Sequence, residues 1–503
     1  MSHSQNVNKI IDKSLESSDN FEFINLNAKK KDSVTSLTFK SNFDNNDIEE
    51  PRLRAEYAIW KKNAPFLYDM IITTRLPWPS LTVEWFPEVE MVSTTVKSNS
   101  SNNTTKGISS LLSRYKILLG TQTSGNAYEY VRIGVVDLPN LNAVSEEAPL
   151  SLLNQYDTVL NEFGGYQTSQ SQFKIHQYLD HNGEVNRARY CPQNPSITST
   201  ASSNGRVYIF DCTKHPLDPR NITQASKILT ESSSDSISKS NLPSPRPEMV
   251  LDAHTNEVSS ISWNSYKYGY LASGSYDTMV GVWNIRNYSR SKKHVPLNLI
   301  ETHSDLVNDV EWHKFSPSII GSVSDDGMMH IHDLRVSEVN YTPQLASVPR
   351  KIKKKDENSY GTVGINCISF NNANENLVAT GGTDSNINLW DLRSLNHTLH
   401  TMKGHAGNVN SVEWCHHEPG ILASASSDRR VCIWDTAAIQ KSAPFDNENN
   451  LNHSPELLWV HGGHTESVSD ISWNPALPWV LASVSNDNHI HIFKPSQSLV
   501  RAK

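Results

Sequence analysis

Six short stretches of this chain have nearly the same sequence, a run of mostly apolar or aromatic residues that ends on a polar or charged one. They read VYIFD, VGVWN, MHIHD, INLWD, VCIWD and IHIFK, at Val207–Asp211, Val280–Asn284, Met329–Asp333, Ile387–Asp391, Val431–Asp435 and Ile490–Lys494. Short runs of this composition predict β-strands. A turn of small residues with an acid or an amide precedes each stretch, so each strand is expected to follow a tight turn.

Four copies also carry a histidine further upstream: His254, His303, His405 and His464. A period of about 40 to 60 residues with Gly-His, Ser-x-Asp and Trp-Asp marks is typical of WD40 repeats, each of which forms a four-stranded blade. One blade cannot bury its faces alone. The chain is therefore predicted to close its blades into a propeller around a central channel.

A seventh, degenerate blade is predicted ahead of the six clear ones. Its strands are expected at Leu81–Phe86, Tyr115–Gly120 and Val131–Val136. In Leu81–Phe86, for example, alternate residues are apolar and would lie on one face of a strand. The ring is expected to close by pairing the segment near Leu81 with the last strand before Lys494. The predicted fold is all-β, a seven-bladed WD40 propeller over residues 77–503 with an N-terminal α-helix.

The N-terminal helix is predicted over residues 49–76. Apolar residues recur there at helical spacing, at Leu53, Tyr57, Trp60, Leu67 and Ile71. Residues 1–48 are rich in Asn, Ser, Lys and Asp, which predicts a disordered tail. Four insertions are predicted as exposed loops by their composition, near 93–113, 226–247, 350–357 and 440–456. The Lys run in the third is either a nuclear import signal or a solvated loop.

Composition excludes several classes of function. A net charge of -8 favours basic partners, and no basic patch interleaved with aromatics predicts sequence-specific nucleic-acid binding. The five cysteines form no C-x-x-C pair, which argues for a reducing compartment and against a structural zinc or disulfide frame. No apolar run suggests a signal peptide or a membrane span, so we expect a soluble intracellular protein without metal or cofactor.

Two sets of residues contain the serine, histidine and aspartate of a hydrolase triad. They are His254, Ser273, Asp277 and Trp283, and His405, Ser424, Asp428 and Trp434. In WD40 blades these residue types form a structural hydrogen-bond chain, and a constellation that recurs in several blades is architecture rather than one catalytic site. No hydrolase, nucleotide or zinc-protease motif is present either, so the chain is predicted not to be an enzyme.

Arg393 and Arg335 follow strand ends in the order Asp-Leu-Arg. This order resembles the box by which WD40 substrate receptors engage cullin ubiquitin ligases. An arginine after a Trp-Asp strand end also commonly caps the blade surface, and the sequence leaves both interpretations open.

Longer phrases resemble one WD40 family. They are AEYAIWKKNAPFLYDMIITTRLPWPSLTVEWFP, NGEVNRARYCPQNP, IFDCTKHP and LLWVHGGHTESVSDISWNPALPWVLASVSNDN. This histone-binding family contains the retinoblastoma-associated proteins, the small subunits of chromatin assembly factor and the regulatory subunits of type B histone acetyltransferases. The resemblance runs from about Glu49 to the C-terminus outside the insertions. The ending NDNHIHIFKPSQSLV is most similar to the fungal smallest subunit of chromatin assembly factor.

The resemblance implies a side groove that holds a helix of histone H4. One wall is implied at Phe66, Leu67 and Met70, and the other at Leu458, Trp459 and Val460. The loop Gln440–Glu456 would supply the acids Asp446, Glu448 and Glu456. Apolar anchors flanked by acids suit a basic amphipathic helix. This loop is Asn-rich and holds fewer acids than its relatives, which predicts weaker electrostatic steering.

A second site for the histone H3 tail is implied at the top of the channel. The matching positions are Glu184, Asn186, Arg187, Glu257, Asp325 and Asn366. Other positions depart from the family, because amides or a serine replace acidic or aromatic residues at Asn308, Asn408, Asn410 and Ser259. The loss of countercharge and stacking surface predicts that this chain does not bind the H3 tail tightly.

The resemblance implies a non-catalytic chaperone of histones H3–H4. The expected role is that of the small subunit of chromatin assembly factor, in the nucleus, in nucleosome assembly coupled to DNA replication. Histone H4, the H3–H4 dimer and the larger subunits of that factor would be its partners. Two alternatives remain: the histone-binding subunit of a type B acetyltransferase, and a substrate receptor of a cullin ubiquitin ligase.

Overall fold

A computed structural model describes most of the propeller region of the chain. The described residues are 46–91, 112–139, 156–157, 162–163, 173–217, 247–286, 295–336, 344–347, 351–353, 360–441 and 454–500. Contacts divide the chain into two units, Met1–Pro51 and Arg52–Lys503, and the blades lie in the second. Nearly all of the predicted tail and most of the four predicted insertions lie outside the described residues. Within the described part, no helix is long and apolar enough to cross a bilayer.

Seven four-stranded antiparallel sheets form the blades, as predicted. Blade 1 contains β2 (Val83–Met91), β3 (Leu112–Leu119), β4 (Glu129–Pro139) and β7 (Phe173–His181). Blade 2 contains β8 (Val185–Cys191), β9 (Asn194–Ser202), β10 (Arg206–Asp211) and β11 (Met249–Asp252). Blade 3 contains β12 (Val258–Trp263), β13 (Tyr270–Ser275), β14 (Met279–Asn284) and β15 (Asn298–Glu301). Blade 4 contains β16 (Val307–Trp312), β17 (Ile319–Ser324), β18 (Met328–Asp333) and β19 (Gln344–Ser347).

The remaining blades continue the same order. Blade 5 contains β22 (Ile365–Phe370), β23 (Leu377–Gly382), β24 (Asn386–Asp391) and β25 (His400–Lys403). Blade 6 contains β26 (Val409–Trp414), β27 (Ile421–Ser426), β28 (Val431–Asp435) and β29 (Leu457–His461). Blade 7 contains β30 (Val468–Trp473), β31 (Leu481–Ser485), β32 (His489–Pro495) and β1 (Tyr68–Arg75). Two hairpins stand apart, β5 (Tyr156–Asp157) with β6 (Glu162–Phe163) and β20 (Lys351–Lys353) with β21 (Tyr360–Thr362). Part of the predicted loop 350–357 is therefore a strand.

The first strand of each blade contacts the first strand of the next, and β2 contacts both β8 and β30, so the ring is closed. A tryptophan near the start or at the end of four of these inner strands ties neighbouring blades together. Its indole N–H donates to a backbone carbonyl on an adjacent inner strand at 3.0–3.1 Å, in the pairs Trp85–Ser472, Trp263–Arg189, Trp414–Ser369 and Trp473–Glu413. Each bond satisfies a buried donor while the ring fills the space between two blades.

The ring closes through β1, which pairs antiparallel with β32 from Tyr68↔Pro495 to Arg75↔His489. The predicted partner near Leu81 was wrong, because that segment leads into β2, the inner strand of blade 1. The predicted helix 49–76 was also too long. Helix α1 spans Asn46–Leu67, and the run after it, YDMIITTR, is rich in β-branched residues that favour a strand. A short helix, α2 (Gln497–Val500), follows β32.

Apolar clusters fill the spaces between blades. Between blades 3 and 4, for example, Val280 and Val282 of one blade pack with Val307, Val310 and Trp312 of the next. The core is therefore distributed around the ring, which keeps both faces and the rim available for sites.

Candidate functional site

The triad-like residues form a buried chain in blade 3. Trp283 Nε1 donates to Ser273 Oγ at 2.8 Å, Ser273 Oγ lies 2.8 Å from His254 Nε2, and His254 Nδ1 lies 3.0 Å from Asp277 Oδ2. The serine is fully buried. A substrate cannot reach such a hydroxyl, so this chain of hydrogen bonds has a structural role: it stabilises the blade.

Blade 6 repeats this chain. Trp434 Nε1 donates to Ser424 Oγ at 2.8 Å, Ser424 Oγ lies 2.7 Å from His405 Nε2, and His405 Nδ1 lies 2.9 Å from Asp428 Oδ2. The aspartates of both chains, Asp277 and Asp428, have pKa values below the ordinary range because the facing histidine and backbone N–H groups outweigh the opposing effect of burial.

Arg393 turns back on its own strand end. Its Nε and Nη2 atoms donate to Asp391 at 2.9 and 2.6 Å, and Arg335 makes the same pair with Asp333. Both guanidinium groups are exposed. This geometry is that of a surface cap on the blade.

An apolar stripe runs along the outer face of α1. Ile59 is 58% exposed and Phe66 is 73% exposed, and Ala55, Ala58 and Lys62 are exposed on the same face. Their spacing of three and four residues places them on one side of a helix. Ile59 was missed by the sequence analysis, although its spacing of seven from Phe66 predicts this position.

The opposite face of α1 is fixed to the propeller. Arg429 Nη2 donates to Glu56 Oε2 at 3.2 Å, and Trp60 Nε1 donates to the Tyr68 hydroxyl at 2.8 Å. Trp60 also lies parallel to the His491 ring, with 6.1 Å between centroids. A Cβ atom at Gly463 would lie only 2.5 Å from Trp60 Cζ2. The exposed stripe is thus held on a rigid support.

Three residues predicted for the groove are buried instead. Met70 lies in the core on β1 with Val83 and Trp85. Trp459 is 6% exposed and packs against Tyr68 and Phe493. Alternate residues of a strand face opposite sides, and these two face inward.

Glu456 is the third buried residue. It receives a hydrogen bond from Ser454 at 2.6 Å and pairs with His400 at 3.0 Å. These neighbours help to hold the pKa of its carboxyl below the ordinary value, against the opposing effect of burial. Leu67, Leu458 and Val460 are partly buried at the margins of the core. Asp446 and Glu448 lie outside the described residues, so the second wall of the predicted groove rests on sequence alone.

The amides predicted at the channel top bind neighbouring blades. Each side-chain N–H donates to a backbone carbonyl of another inner strand at 2.8–3.0 Å, in the pairs Asn186–Val258, Asn308–Ile365, Asn366–Val409 and Asn410–Val468. Ser259 makes the equivalent bond to Val307 at 2.6 Å. These residues therefore hold the ring together.

The predicted acids of the channel top are engaged as well. Glu257 accepts from Asn186 at 2.7 Å, Asp325 accepts from Asn308 at 2.7 Å, and Glu184 accepts from the Ser124 backbone at 2.9 Å. Each of these carboxylates therefore accepts at least one hydrogen bond from within the ring.

Ion pairs cross the middle of the channel. Arg187 of blade 2 lies 3.0 Å from Asp470 of blade 7 and 3.8 Å from Asp309 of blade 4. Arg187 matches a position of the implied histone-tail site, and its side chain is mostly buried in this network. Arg189 adds contacts to Asp470 at 3.3 Å and to Glu84 at 3.9 Å.

Two carboxyl groups near this network resist ionisation. Burial raises the pKa of Glu84 to about 7, with Arg189 and the Tyr190 N–H opposing the shift. Burial also raises the pKa of Glu413 to about 8, with the Trp473 N–H and Arg189 opposing it. Loss of water around a carboxylate disfavours its charged form, and here it outweighs the nearby cations.

Three protein families match parts of the chain. Residues 55–140 match the family described as histone-binding protein RBBP4 or a subunit of the CAF1 complex. Residues 245–284 and 455–494 match the WD domain, G-beta repeat, and residues 296–462 match the N-terminal propeller domain of nucleolar protein 10-like proteins. The first match contains Ile59 and Phe66, so the exposed stripe of α1 lies inside the segment that resembles this family.

Proposed function

We propose that this chain, a WD40 propeller of the histone-binding RBBP4 type, is a histone chaperone subunit that holds a helix of histone H4 against α1. Propellers of this family are typically non-catalytic. The proposed setting is nucleosome assembly coupled to DNA replication in the nucleus, with the chain as the small subunit of a chromatin assembly factor.

The observation that carries this proposal is the exposed stripe on a clamped helix. A solvent-exposed phenylalanine and isoleucine gain about 1.5–3 kcal/mol each when they are fully buried by a partner. Because Glu56 and Trp60 already fix the helix, binding does not have to order it again. Helix-in-groove recognition uses apolar anchors at this spacing.

The test is calorimetric titration of the purified full chain with a peptide of the first H4 helix. Phe66→Ala and Ile59→Ala are each expected to weaken binding about tenfold or more, as truncation of a central anchor does. Tyr266→Ala is the matched control, because Tyr266 is also an exposed aromatic but belongs to the β12–β13 connection of blade 3. Its affinity should equal that of the wild type.

Either of two results would contradict the proposal. One is a folded wild-type chain that does not bind the peptide at all. The other is equal weakening by Tyr266→Ala and Phe66→Ala, which would indicate nonspecific apolar association. Trp459→Ala is unsuitable as a test, since Trp459 lies in the core and its loss would destabilise the fold.

Co-purification tests the proposed complex. An epitope-tagged chain from nuclear extract is expected to recover the larger subunits of a chromatin assembly factor together with H3 and H4. Recovery of an acetyltransferase in place of those subunits would assign the chain to a type B complex. The proposal that α1 binds histone H4 would be unaffected.

A further inference from the structure

Blade 4 departs from the usual hydrogen-bond chain by using histidine at three positions. His303 lies before β16, and His330 and His332 lie on β18. All three are buried, and one ligand atom of each lies within 4.8 Å of the others. His332 occupies the place that Trp283 and Trp434 hold in blades 3 and 6, ten residues after the buried serine of each chain.

The three imidazoles gather around Ser322. His303 Nε2 lies 2.8 Å from Ser322 Oγ, and His332 Nε2 lies 2.7 Å from the same atom. The other nitrogen of His303, Nδ1, lies 2.9 Å from Asp326 Oδ2. Histidines that bind metals usually donate their second N–H to a carboxylate in this way, which fixes the ring and directs the free lone pair.

His330 supplies an independent observation. Its ring stacks on His303 with 4.1 Å between centroids, and it is 4% exposed. Its Nδ1 atom is buried without a hydrogen-bond partner among the described residues. The hydrogen-bond chain does not require a histidine here, because the same position holds Gly281, Asn388 and Cys432 in blades 3, 5 and 6. A buried unpartnered nitrogen of this kind is rare in native proteins.

We propose that His303, His330 and His332 form a zinc site inside blade 4, with Ser322 Oγ or a water molecule as the fourth ligand. Three imidazoles are a typical zinc ligand set, with Zn–N bonds of about 2.0–2.1 Å. The ligand nitrogens would lie about 3.4 Å apart in a tetrahedron. A metal lies in the plane of each imidazole that binds it, so metal binding requires the His330 ring to turn out of its stack on His303. His303 keeps its proton on Nδ1 toward Asp326, and His332 must carry its proton on Nδ1.

A second cluster of buried histidines is less suited to a metal. It contains His461, His464 and His491. His461 Nε2 lies 2.9 Å from His491 Nδ1, and His461 Nδ1 lies 2.6 Å from the Tyr68 hydroxyl. His464 Nε2 lies 2.7 Å from Ser483 Oγ, and its buried Nδ1 atom lies 3.6 Å from Asp487 Oδ2. Because both ring nitrogens of His461 are already engaged, the second cluster provides the control. The proposed zinc site is independent of the H4 groove.

The experiment titrates Co²⁺ and Zn²⁺ into untagged full-length chain that has been stripped with a chelator. The wild type is expected to bind one equivalent of Co²⁺ with the visible absorption of a tetrahedral site, which Zn²⁺ then displaces. Zn²⁺ should also raise Tm, because a ligand that binds only the folded state stabilises it.

Two matched variants locate the site. His330→Asn, which introduces the residue found at this position in blade 5, is expected to abolish the tetrahedral Co²⁺ spectrum and the rise in Tm. His491→Asn is the same substitution at the equivalent position of blade 7 and should retain both. Asp326→Asn should weaken Zn²⁺ binding by about 10–100-fold through loss of ring orientation.

Far-UV circular dichroism verifies that each variant is folded. A folded wild type that binds neither metal, even after refolding with Zn²⁺ present, overturns the proposal. So does a His330→Asn variant that binds as the wild type does, or a spectrum lost only in His491→Asn, since either result places the metal elsewhere.

Discussion

Ser424 Oγ serves two buried nitrogen atoms at once, His405 Nε2 at 2.7 Å and Trp434 Nε1 at 2.8 Å. The indole N–H can only donate, so the hydroxyl oxygen accepts from it, and the same oxygen bonds to His405 Nε2. His405 then presents its Nδ1–H to Asp428. This one hydroxyl therefore links two strands and a loop. Its burial is tolerated only because both His405 and Trp434 bond to it.

Ser424→Ala is expected to destabilise the propeller strongly for a change of one atom. It leaves the Trp434 N–H and His405 Nε2 without partners, at about 1–3 kcal/mol for each buried atom. Urea denaturation should show a lower midpoint, with an unfolding free energy reduced by about 2 kcal/mol or more. Ser427→Ala, an exposed serine three residues along, should leave the midpoint unchanged. Equal midpoints for the two variants would contradict the structural role.

At the scale of elements, one hydrogen-bond network joins α1 and β1 to blades 6 and 7. Trp60 donates to the Tyr68 hydroxyl, so that hydroxyl has its proton available for His461 Nδ1, and His461 Nε2 can donate to His491. The relay links the helix, the closing strand, blade 6 and blade 7. Displacement of the helix would therefore disturb the closure of the ring and the support of the exposed stripe together.

Gly463→Ala tests the coupling between α1 and the closure of the ring, at the close contact of Gly463 with Trp60. The added Cβ would lie 2.5 Å from Trp60 Cζ2, so the helix or the loop must shift, and overpacking of this kind costs about 1–3 kcal/mol. We expect a lower Tm and weaker H4-peptide binding, measured by thermal denaturation and calorimetry.

The neighbouring glycine supplies the control. A Cβ at Gly462 meets nothing within 4 Å, so Gly462→Ala should match the wild type in both assays. A Gly463→Ala variant with unchanged Tm and affinity would show that α1 tolerates displacement and is not a rigid wall.

The sequence predicted the elements better than their boundaries. Repeated Ser, Asp and Trp marks predicted the blades, because they record a packing unit that recurs. The end of α1 at Leu67 was not predicted, since Leu67 and Ile71 fit helical spacing until β32 pairs with the segment. Trp459 was assigned to a groove for a similar reason: sequence shows that a residue is apolar, but only strand pairing shows which way it faces.

The channel site was beyond sequence analysis for a different reason. Asn186 and Asn308 were interpreted as contacts for a ligand, or as replacements for such contacts. In the ring they donate to Val258 and Ile365 of neighbouring blades. Bonds between residues that are 72 and 57 positions apart depend on the closure of the whole propeller, and no local pattern encodes them.

At the scale of the whole molecule, the channel is where charges from many blades meet. Arg187 and Asp470 come from blades 2 and 7, and Glu413 comes from blade 6 and lies near enough to Arg189 and Asp470 for their charges to affect its pKa. The cost of burying these charges is offset only in the assembled ring. The pH dependence of stability should therefore report on closure of the propeller.

Glu413→Gln is expected to make stability less sensitive to alkaline pH. The folded chain holds the Glu413 proton up to about pH 8, whereas the ordinary pKa of a solvated glutamate is 4.5. Between these values the folded state binds more protons than the unfolded state, so the unfolding free energy falls as pH rises. Loss of this carboxyl should remove about 2–3 kcal/mol of the decline between about pH 6 and 9.

Urea denaturation of the wild type and the variant across this pH range measures the difference. Glu418→Gln is the matched control, because Glu418 is exposed and lies only five residues along the chain, and its decline should follow that of the wild type. Parallel curves for all three proteins would mean that Glu413 is already ionised in the folded ring. In that case Arg189 and Lys314 would outweigh burial, and the channel would carry a larger negative charge for a basic ligand to meet.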